Sequence, residues 1–188
     1  EPALTNIGIV LPVDGYLEAV RRLTREHGTL LINDETHTFC CGPGGYTKAH
    51  GLDPDMITIG KPIAGGIPTG AYGMTDELAE RVLERTVWEA ADVGGVGGTL
   101  AGNALSMAAA RATLSEVLTD DAFAHMIEMG ERFEQGVQSV IDETGLAWTV
   151  TRLGCRAEYM LGAERPKSGQ EASDAFDPAL DALLHLYM

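Results

Sequence analysis

The chain has 188 residues, of which 45% are hydrophobic, and it carries a formal net charge of −15. A chain of this length is sufficient for one large domain or two small ones. The acidic balance argues against nucleic acid and anionic membranes as partners, because both bind basic surfaces. We expect no signal peptide and no membrane span, since no apolar run is long enough. Three cysteines, two of them adjacent, form a poor disulfide framework and predict a reducing, cytoplasmic location.

The first part of the chain predicts strands around one amphipathic helix. Residues 1–10 indicate the end of a strand and a loop. Gly15–His27 predicts a helix, with Asp14 as its N-cap and Gly28 as the left-handed residue that ends it. Leu30–Ile32 predicts a strand buried on both faces. Strand, helix and strand in this order form one βαβ unit.

The next part continues the α/β pattern. Tyr46–His50 predicts a helical turn, and Met56–Ile59 predicts a second strand of the same buried kind. Gly70–Met74 predicts a further strand, and Asp76 is placed to cap a helix that reaches Leu83. The segment Gly94–Gly98 is a glycine-rich loop that leads into a helix.

The last part predicts helices and a pair of strands. We place a domain boundary near Thr119, so that residues 1–119 belong to one domain and 120–188 to a second, smaller α+β domain. The second domain begins with a long helix, capped by Asp120 or Asp121 and ended by Gly145. The other predicted elements are a helix Asn103–Leu118, strands Trp148–Leu153 and Arg156–Leu161, a polar loop Glu164–Ser173, and a helix from Pro178.

An acid and a lysine follow two of the predicted strands. Asp34 comes after Leu30–Ile32, and Lys61 comes after Met56–Ile59. If the strands are parallel, both side chains emerge at the carboxyl edge of the sheet, where open α/β sheets bind ligands. A lysine can form a Schiff base with an aldehyde, and an acid can pair with a protonated pyridine nitrogen. The pair therefore suits pyridoxal phosphate (PLP).

Four motifs, in this order and spacing, resemble the class III aminotransferases of PLP fold type I. The matching residues are Glu1-Pro2, Asp34-Glu35, Gly60-Lys61 with Gly65-Gly66, and Gly98 to Asn103. The resemblance implies an α/β fold, namely part of a PLP-binding large domain with a mainly parallel sheet, plus part of a smaller C-terminal domain. It also implies that the chain lacks an N-terminal part carrying another phosphate-binding loop.

The resemblance assigns roles to three residues near the two strand ends. Lys61 forms the Schiff base, against the alternative of an exposed loop lysine. Asp34 holds the pyridine nitrogen protonated, against the alternative of a solvated strand-end acid. His37 lies where relatives contact the cofactor's phenolic oxygen. The alternative, given equal weight, is that His37 supports the residues that contact the cofactor and does not touch the cofactor itself. A P-loop is excluded because Pro62 follows Lys61, and His37, Cys40, Cys41 and His50 match no zinc spacing.

Other residues are assigned to phosphate and substrate. The resemblance implies that Thr99 reaches the phosphate of the partner subunit's cofactor, which predicts a homodimer with shared active sites. Asn6 stands where ornithine-type enzymes carry a glutamate, and it resembles the aminomutases in this. Arg156 is placed to meet a substrate carboxylate, although a surface salt bridge is the more common use of such an arginine. Glu35 is predicted to be structural.

The sequence therefore predicts a PLP-dependent aminotransferase that acts on small amines and keto acids, with Lys61 as catalytic residue and no metal. One alternative is an aminomutase of the glutamate-1-semialdehyde type, which Asn6 favours. A second is an inactive fragment or binding module, which the missing N-terminal part favours.

Overall fold

The computed structural model describes residues 1–84 and 97–187, so the first three residues of the segment Gly94–Gly98 lie outside it. The helices in these ranges are α1 (Tyr16–Glu26), α2 (Gly45–Ala49), α3 (Asp76–Leu83), α4 (Ala104–Ala112), α5 (Asp120–Thr144), α6 (Gly169–Asp174) and α7 (Pro178–Tyr187). The strands are β1 (Ile32–Asp34), β2 (Met56–Ile59), β3 (Ala71–Met74), β4 (Thr149–Leu153) and β5 (Arg156–Met160). Single 3₁₀ turns cover Thr38–Cys41 and Lys61–Ala64, and α4 continues into a π turn at Thr113–Val117.

The first three strands form one sheet in the order β1-β2-β3. β1 and β2 are parallel, with Asp34 opposite Thr58, and β3 runs antiparallel to β2. The α/β prediction is confirmed, but this part of the sheet is mixed rather than mainly parallel. The sequence predicted that the strands are buried on both faces. Among the described residues this does not hold for β1, because Ile32 is 52% exposed.

The segment before α1 differs from the sequence prediction. It makes an isolated bridge between Leu4 and Val10 instead of a strand, so the predicted βαβ unit around α1 is wrong. The parallel pair is joined instead by residues 35–55, which contain α2. Asp14 does not cap α1, because Gly15 takes the N-cap position in a left-handed conformation with no side-chain cap. Gly28, with φ 62°, lies just after α1 in a left-handed conformation, as predicted.

The second half follows the prediction closely, with two corrections. Thr119 rather than an aspartate caps α5, because its hydroxyl accepts from the backbone N–H of Ala122 at 3.2 Å. Gly145 ends the helix in the left-handed conformation that was predicted. β4 and β5 form an antiparallel hairpin. The predicted polar loop contains α6, which Ser168 caps by accepting from the N–H of Glu171.

The N-terminal segment lies at the centre of the packing. One buried cluster joins it to α2 and to β4 and consists of Ala3, Ile9, Tyr46 and Leu153. A second joins it to β5 and α6 and consists of Val10, Met160 and Ala172. Residues on both sides of Thr119 therefore share a hydrophobic core. The division at Thr119 stays a prediction.

The β4–β5 turn presses directly against the 3₁₀ turn Thr38–Cys41. The N–H of Cys155 donates to the carbonyl of Cys40 at 3.0 Å. A Cβ atom on Gly154 would lie 2.3 Å from that same carbonyl oxygen, and the φ of Gly154 is 59°. Only glycine fits here without moving one backbone away from the other. This contact fixes the hairpin beside the segment that follows Asp34.

Among residues 1–84 and 97–187, no helix is both long and apolar enough to cross a lipid bilayer.

Candidate active site

The two strand ends meet as the sequence predicted. β1 ends at Asp34 and β2 ends at Ile59, and because these strands are parallel both ends lie at the carboxyl edge of the sheet. Lys61 begins the 3₁₀ turn immediately beyond β2. Neighbouring strands lie about 4.8 Å apart. The fold thus places a carboxylate and a primary amine at one edge, where both are exposed.

Lys61 has an unusual backbone. Its φ of 44° is the one positive value for a non-glycine residue among those described. The left-handed conformation costs an L-residue about 1–2 kcal/mol, and the following Pro62 restricts the backbone further. The 3₁₀ turn Lys61–Ala64 is held in place by packing, because Ile63 and Ala64 are buried and α4 packs against the turn. Strain that the surroundings enforce is typical of functional positions.

Asp34 is held in its charged form. Its Oδ1 accepts from the backbone N–H of Thr36 at 2.9 Å. Hydrogen bonds from the side chain and the backbone of Thr36 lower the pKa of Asp34. A carboxylate that stays ionised at neutral pH is what a protonated ring nitrogen requires.

His37 connects Lys61 to the N-terminal segment. Its Nε2 contacts Nζ of Lys61, and its Nδ1 lies 2.6 Å from Oγ1 of Thr5 and 3.2 Å from Oε1 of Glu1. The Thr5 hydroxyl in turn donates to the same Glu1 oxygen at 2.9 Å. The sequence pointed to His37 and to the Glu1-Pro2 motif separately. It gave no signal for Thr5, because a threonine in a loop has no periodicity or spacing to mark it.

Glu35 is a scaffold residue, as predicted. It is 1% exposed, and its carboxylate accepts from the Thr38 hydroxyl at 2.5 Å and from the N–H groups of Tyr46 and Thr47 at 2.9 and 2.6 Å. Gly45 leaves room for it, since a Cβ there would lie 2.4 Å from Oε2. The buried carboxylate ties the segment after β1 to the start of α2 and so fixes the course of His37.

Thr99 lies exposed in the turn that precedes α4. Asn103 caps this helix, with its Oδ1 accepting from the N–H of Ser106 at 3.0 Å. The Ser106 hydroxyl donates to the carbonyl of Pro68 at 3.3 Å, which joins the start of α4 to the loop after Lys61. The contact of Thr99 with a cofactor phosphate stays a prediction.

Asn6 and Arg156 lie on the other side of Thr5. Asn6 is exposed and lines a cavity of about 570 Å³, together with Phe133 and Tyr159. Arg156 donates from Nε to Glu158 at 2.6 Å and from Nη2 to the carbonyl of Thr5 at 2.8 Å. The guanidinium therefore takes part in an ion pair and also supports the residue that contacts His37. Contact of either residue with substrate stays a prediction.

The three cysteines are free thiols packed together. The hydrogen bond with Cys155 lowers the pKa of Cys40, but the hydrogen bond with Cys41 and burial outweigh it and raise the pKa to about 12. The hydrogen bond with Cys40 raises the pKa of Cys155 as well. Both thiols stay protonated at neutral pH and act as packing groups. No cluster able to hold a metal ion occurs in the described part of the chain.

The residues at the strand ends fit PLP. A primary amine is available to bind an aldehyde, and an ionised carboxylate is available to pair with a ring nitrogen. The imidazole of His37 touches the amine. The donor set thus has the chemistry that the cofactor needs.

The fold gives the class of protein first: the chain has the fold of part of the PLP-dependent enzymes of fold type I. Crystal structures with this fold include a glutamate-1-semialdehyde aminomutase from Pseudomonas aeruginosa PAO1 in complex with PMP, with a TM-score of 0.91 and 45% identity over 100% of this chain and 42% of that one. An omega-transaminase from Sphaerobacter thermophilus has a TM-score of 0.78 and 29% identity over 96% of this chain and 40% of that one.

The family follows from the sequence profile. The profile described as aminotransferase class-III matches residues 1–184, so the chain belongs to this family, whose cofactor is pyridoxal phosphate. Among curated relatives, the glutamate-1-semialdehyde 2,1-aminomutase of Thermomicrobium roseum is 36% identical over 100% of this chain and 42% of its own length. The chain thus spans about two fifths of the length of the relatives it matches.

Proposed function

We propose that the protein transfers amino groups between small molecules with PLP, which is attached through Lys61. The observation that carries this proposal is the shared carboxyl edge of β1 and β2, at which Asp34 and the turn that begins with Lys61 both lie. When bound, PLP supplies an electron sink for the charge left on the substrate carbon. All other steps fall to the side chains of the protein.

Each side chain has a distinct task in this proposal. Lys61 would hold the cofactor. Once freed by the substrate amine, its Nζ would take a proton from the substrate carbon and return it to the carbon on the other side of the transferred nitrogen. Asp34 would pair with the ring nitrogen, since its hydrogen bonds with Thr36 lower its pKa and favour the ionised form. Glu35 stabilises the loop between them through three hydrogen bonds.

Two reactions fit this chemistry, and the relatives favour one. An aminotransferase passes nitrogen to a second molecule, a keto acid, whereas an aminomutase moves the amino group within one molecule. Similar proteins are named glutamate-1-semialdehyde 2,1-aminomutase. The sequence resemblance at Asn6 favours the same reaction. Transaminases with the same fold keep the first reaction open as the broader class. We therefore propose amino transfer as the reaction class and the aminomutase reaction as its favoured form.

An assay with and without a keto-acid acceptor separates the two reactions. The full protein, purified from its natural host, is incubated with glutamate 1-semialdehyde, and the product is followed by chromatography. Turnover without an acceptor is expected for the aminomutase, and turnover that needs 2-oxoglutarate identifies an aminotransferase. A Lys61→Ala variant serves as control. If this variant turns over as fast as the unmodified protein, the proposed function is refuted. If neither condition yields product, the aminomutase form is refuted.

We further propose a cytosolic homodimer with shared active sites. Two apolar side chains are exposed here: Leu100, in the turn beside Thr99, is 80% exposed, and Leu105, in the first turn of α4, is 66% exposed. Such side chains are typical of an interface core. The free thiols fit a reducing compartment. An analytical ultracentrifugation experiment that finds monomers only would contradict the dimer.

A further inference from the structure

The hydrogen bonds around His37 fix its tautomer. The hydroxyl of Thr5 has one proton, and it is donated to Oε1 of Glu1 at 2.9 Å. The 2.6 Å contact between Thr5 Oγ1 and His37 Nδ1 therefore needs a proton on the imidazole nitrogen. Glu1, 3.2 Å from the same nitrogen, also accepts and cannot donate while it is ionised. In the neutral ring Nδ1 carries the proton, and Nε2 presents a lone pair.

That lone pair meets the amine of Lys61. Nε2 of His37 contacts Nζ of Lys61, and the ammonium form of a lysine is a donor only. An ammonium has no electron pair with which to attack an aldehyde, so Lys61 must lose a proton before it reacts. The arrangement of orienting carboxylate, histidine and nucleophile is the one that activates weak nucleophiles in other enzymes.

We propose that His37 is the base that deprotonates Lys61, with Glu1 and Thr5 as the positioning residues that prepare it. The proton moves from Nζ to Nε2, the electron pair stays on Nζ, and the total charge of the pair is unchanged. The Nδ1–H of the imidazolium that forms still lies 3.2 Å from Oε1 of Glu1. Its Nε2–H would then be a donor, which suits a contact with the cofactor's phenolic oxygen, one of the two roles that the sequence predicts for His37.

The geometry of the whole network favours this role over a purely structural one. The side chains of His37 and Glu1 are 14% and 19% exposed, so water competes little for the Nδ1 bond. Arg156 donates to the backbone carbonyl of Thr5 at 2.8 Å and holds that residue in place. The backbone of Lys61 is in the left-handed conformation, with φ 44°, and strained backbone of this kind is typical of functional positions.

Competitive acetylation tests this inference, which rests on the proposed attachment of PLP to Lys61. The full protein is freed of its cofactor and treated with trace acetic anhydride at neutral pH, and labelling of each lysine is measured by peptide mass spectrometry. Lys48 and Lys167 are internal references in the same chain. Because general bases contribute about 10²–10⁴-fold to rates, His37→Ala is expected to lower the labelling of Lys61, relative to the references, by at least about tenfold. Glu1→Gln is expected to lower it by a smaller factor.

Chemical rescue separates a base from a structural support. Added imidazole is expected to restore the labelling of Lys61 in His37→Ala and to leave Lys48 and Lys167 unchanged. Equal labelling of Lys61 in the unmodified protein and in His37→Ala refutes the inference, and so does a loss that imidazole fails to restore. Reconstitution with PLP tests the proposed function separately. If borohydride fixes PLP on Lys61 while the labelling does not respond to His37, only the inference fails; if PLP does not attach to Lys61, the proposed function fails.

Discussion

Glu35→Gln tests whether a buried carboxylate holds the active-site loop. The substitution keeps the shape of the side chain and replaces one acceptor oxygen by an NH₂ group. The N–H groups of Thr47 and Tyr46 point at different oxygens, so either orientation of the amide leaves one backbone N–H facing another donor. A buried donor without its partner costs about 1–3 kcal/mol, and the remaining bonds lose their charge assistance. We expect a loss of about 2–4 kcal/mol in the free energy of unfolding.

Urea unfolding of the full protein, followed by circular dichroism, measures this loss of stability. Glu26→Gln is a matched control, because Glu26 is 56% exposed and pairs with Arg22 within the same helix at 3.6 Å. Exposed pairs of this kind contribute at most about 0.5 kcal/mol. The reasoning is refuted if Glu35→Gln is no less stable than Glu26→Gln.

Two further predictions concern backbone fit and pH. Gly154→Ala places a Cβ 2.3 Å from the carbonyl oxygen of Cys40 at a φ of 59°, and we expect it to destabilise the protein by about 2–4 kcal/mol. The control is Gly136→Ala on α5, where a Cβ meets nothing within 4 Å; it should stabilise the protein by about 0.5–1 kcal/mol. Thermal unfolding measures both variants. Equal midpoints would contradict the close contact between Gly154 and the carbonyl of Cys40. The hydrogen bond from Arg21 lowers the pKa of Asp55 from 3.8 to about 2, with help from the N–H of Leu31. A lowered pKa means that the carboxylate stabilises the fold above pH 3.8 and that this contribution is lost as the pH falls to about 2. The fall in unfolding midpoint over that window should be shallower in Asp55→Asn, and an unchanged slope would contradict the ion pair.

Local patterns were enough to predict most of the elements. β2 and the start of α7 have the predicted bounds, and β3 and the hairpin β4–β5 differ by one residue at an end. Such segments have clear apolar runs between glycines, prolines and charged residues, and this is what sequence periodicity detects. The chemistry of Asp34 and Lys61 was also accessible, because both follow such runs directly.

Features that depend on tertiary contacts were missed. The strand end predicted within residues 1–10 is an isolated bridge, because this segment packs between α2 and the hairpin instead of joining the sheet. The Ser-x-x-Glu pattern of Ser168 and Glu171 was a local signal for the start of α6 that the polar composition obscured. In the structure the Glu171 carboxylate accepts from the N–H of Lys167, one residue before the cap. The contact of Thr5 with His37 joins residues 32 positions apart through a loop, and no repeat or motif predicts it.

Borohydride reduction of the protein with bound PLP, followed by peptide mass spectrometry, tests the central claim most directly. The chain offers three lysines for attachment, namely Lys48, Lys61 and Lys167. The account predicts that the reduced cofactor is found on the peptide that contains Lys61, and that this adduct is absent from Lys61→Ala. A cofactor fixed on Lys48 or Lys167 instead, or on no lysine of this chain, would contradict it.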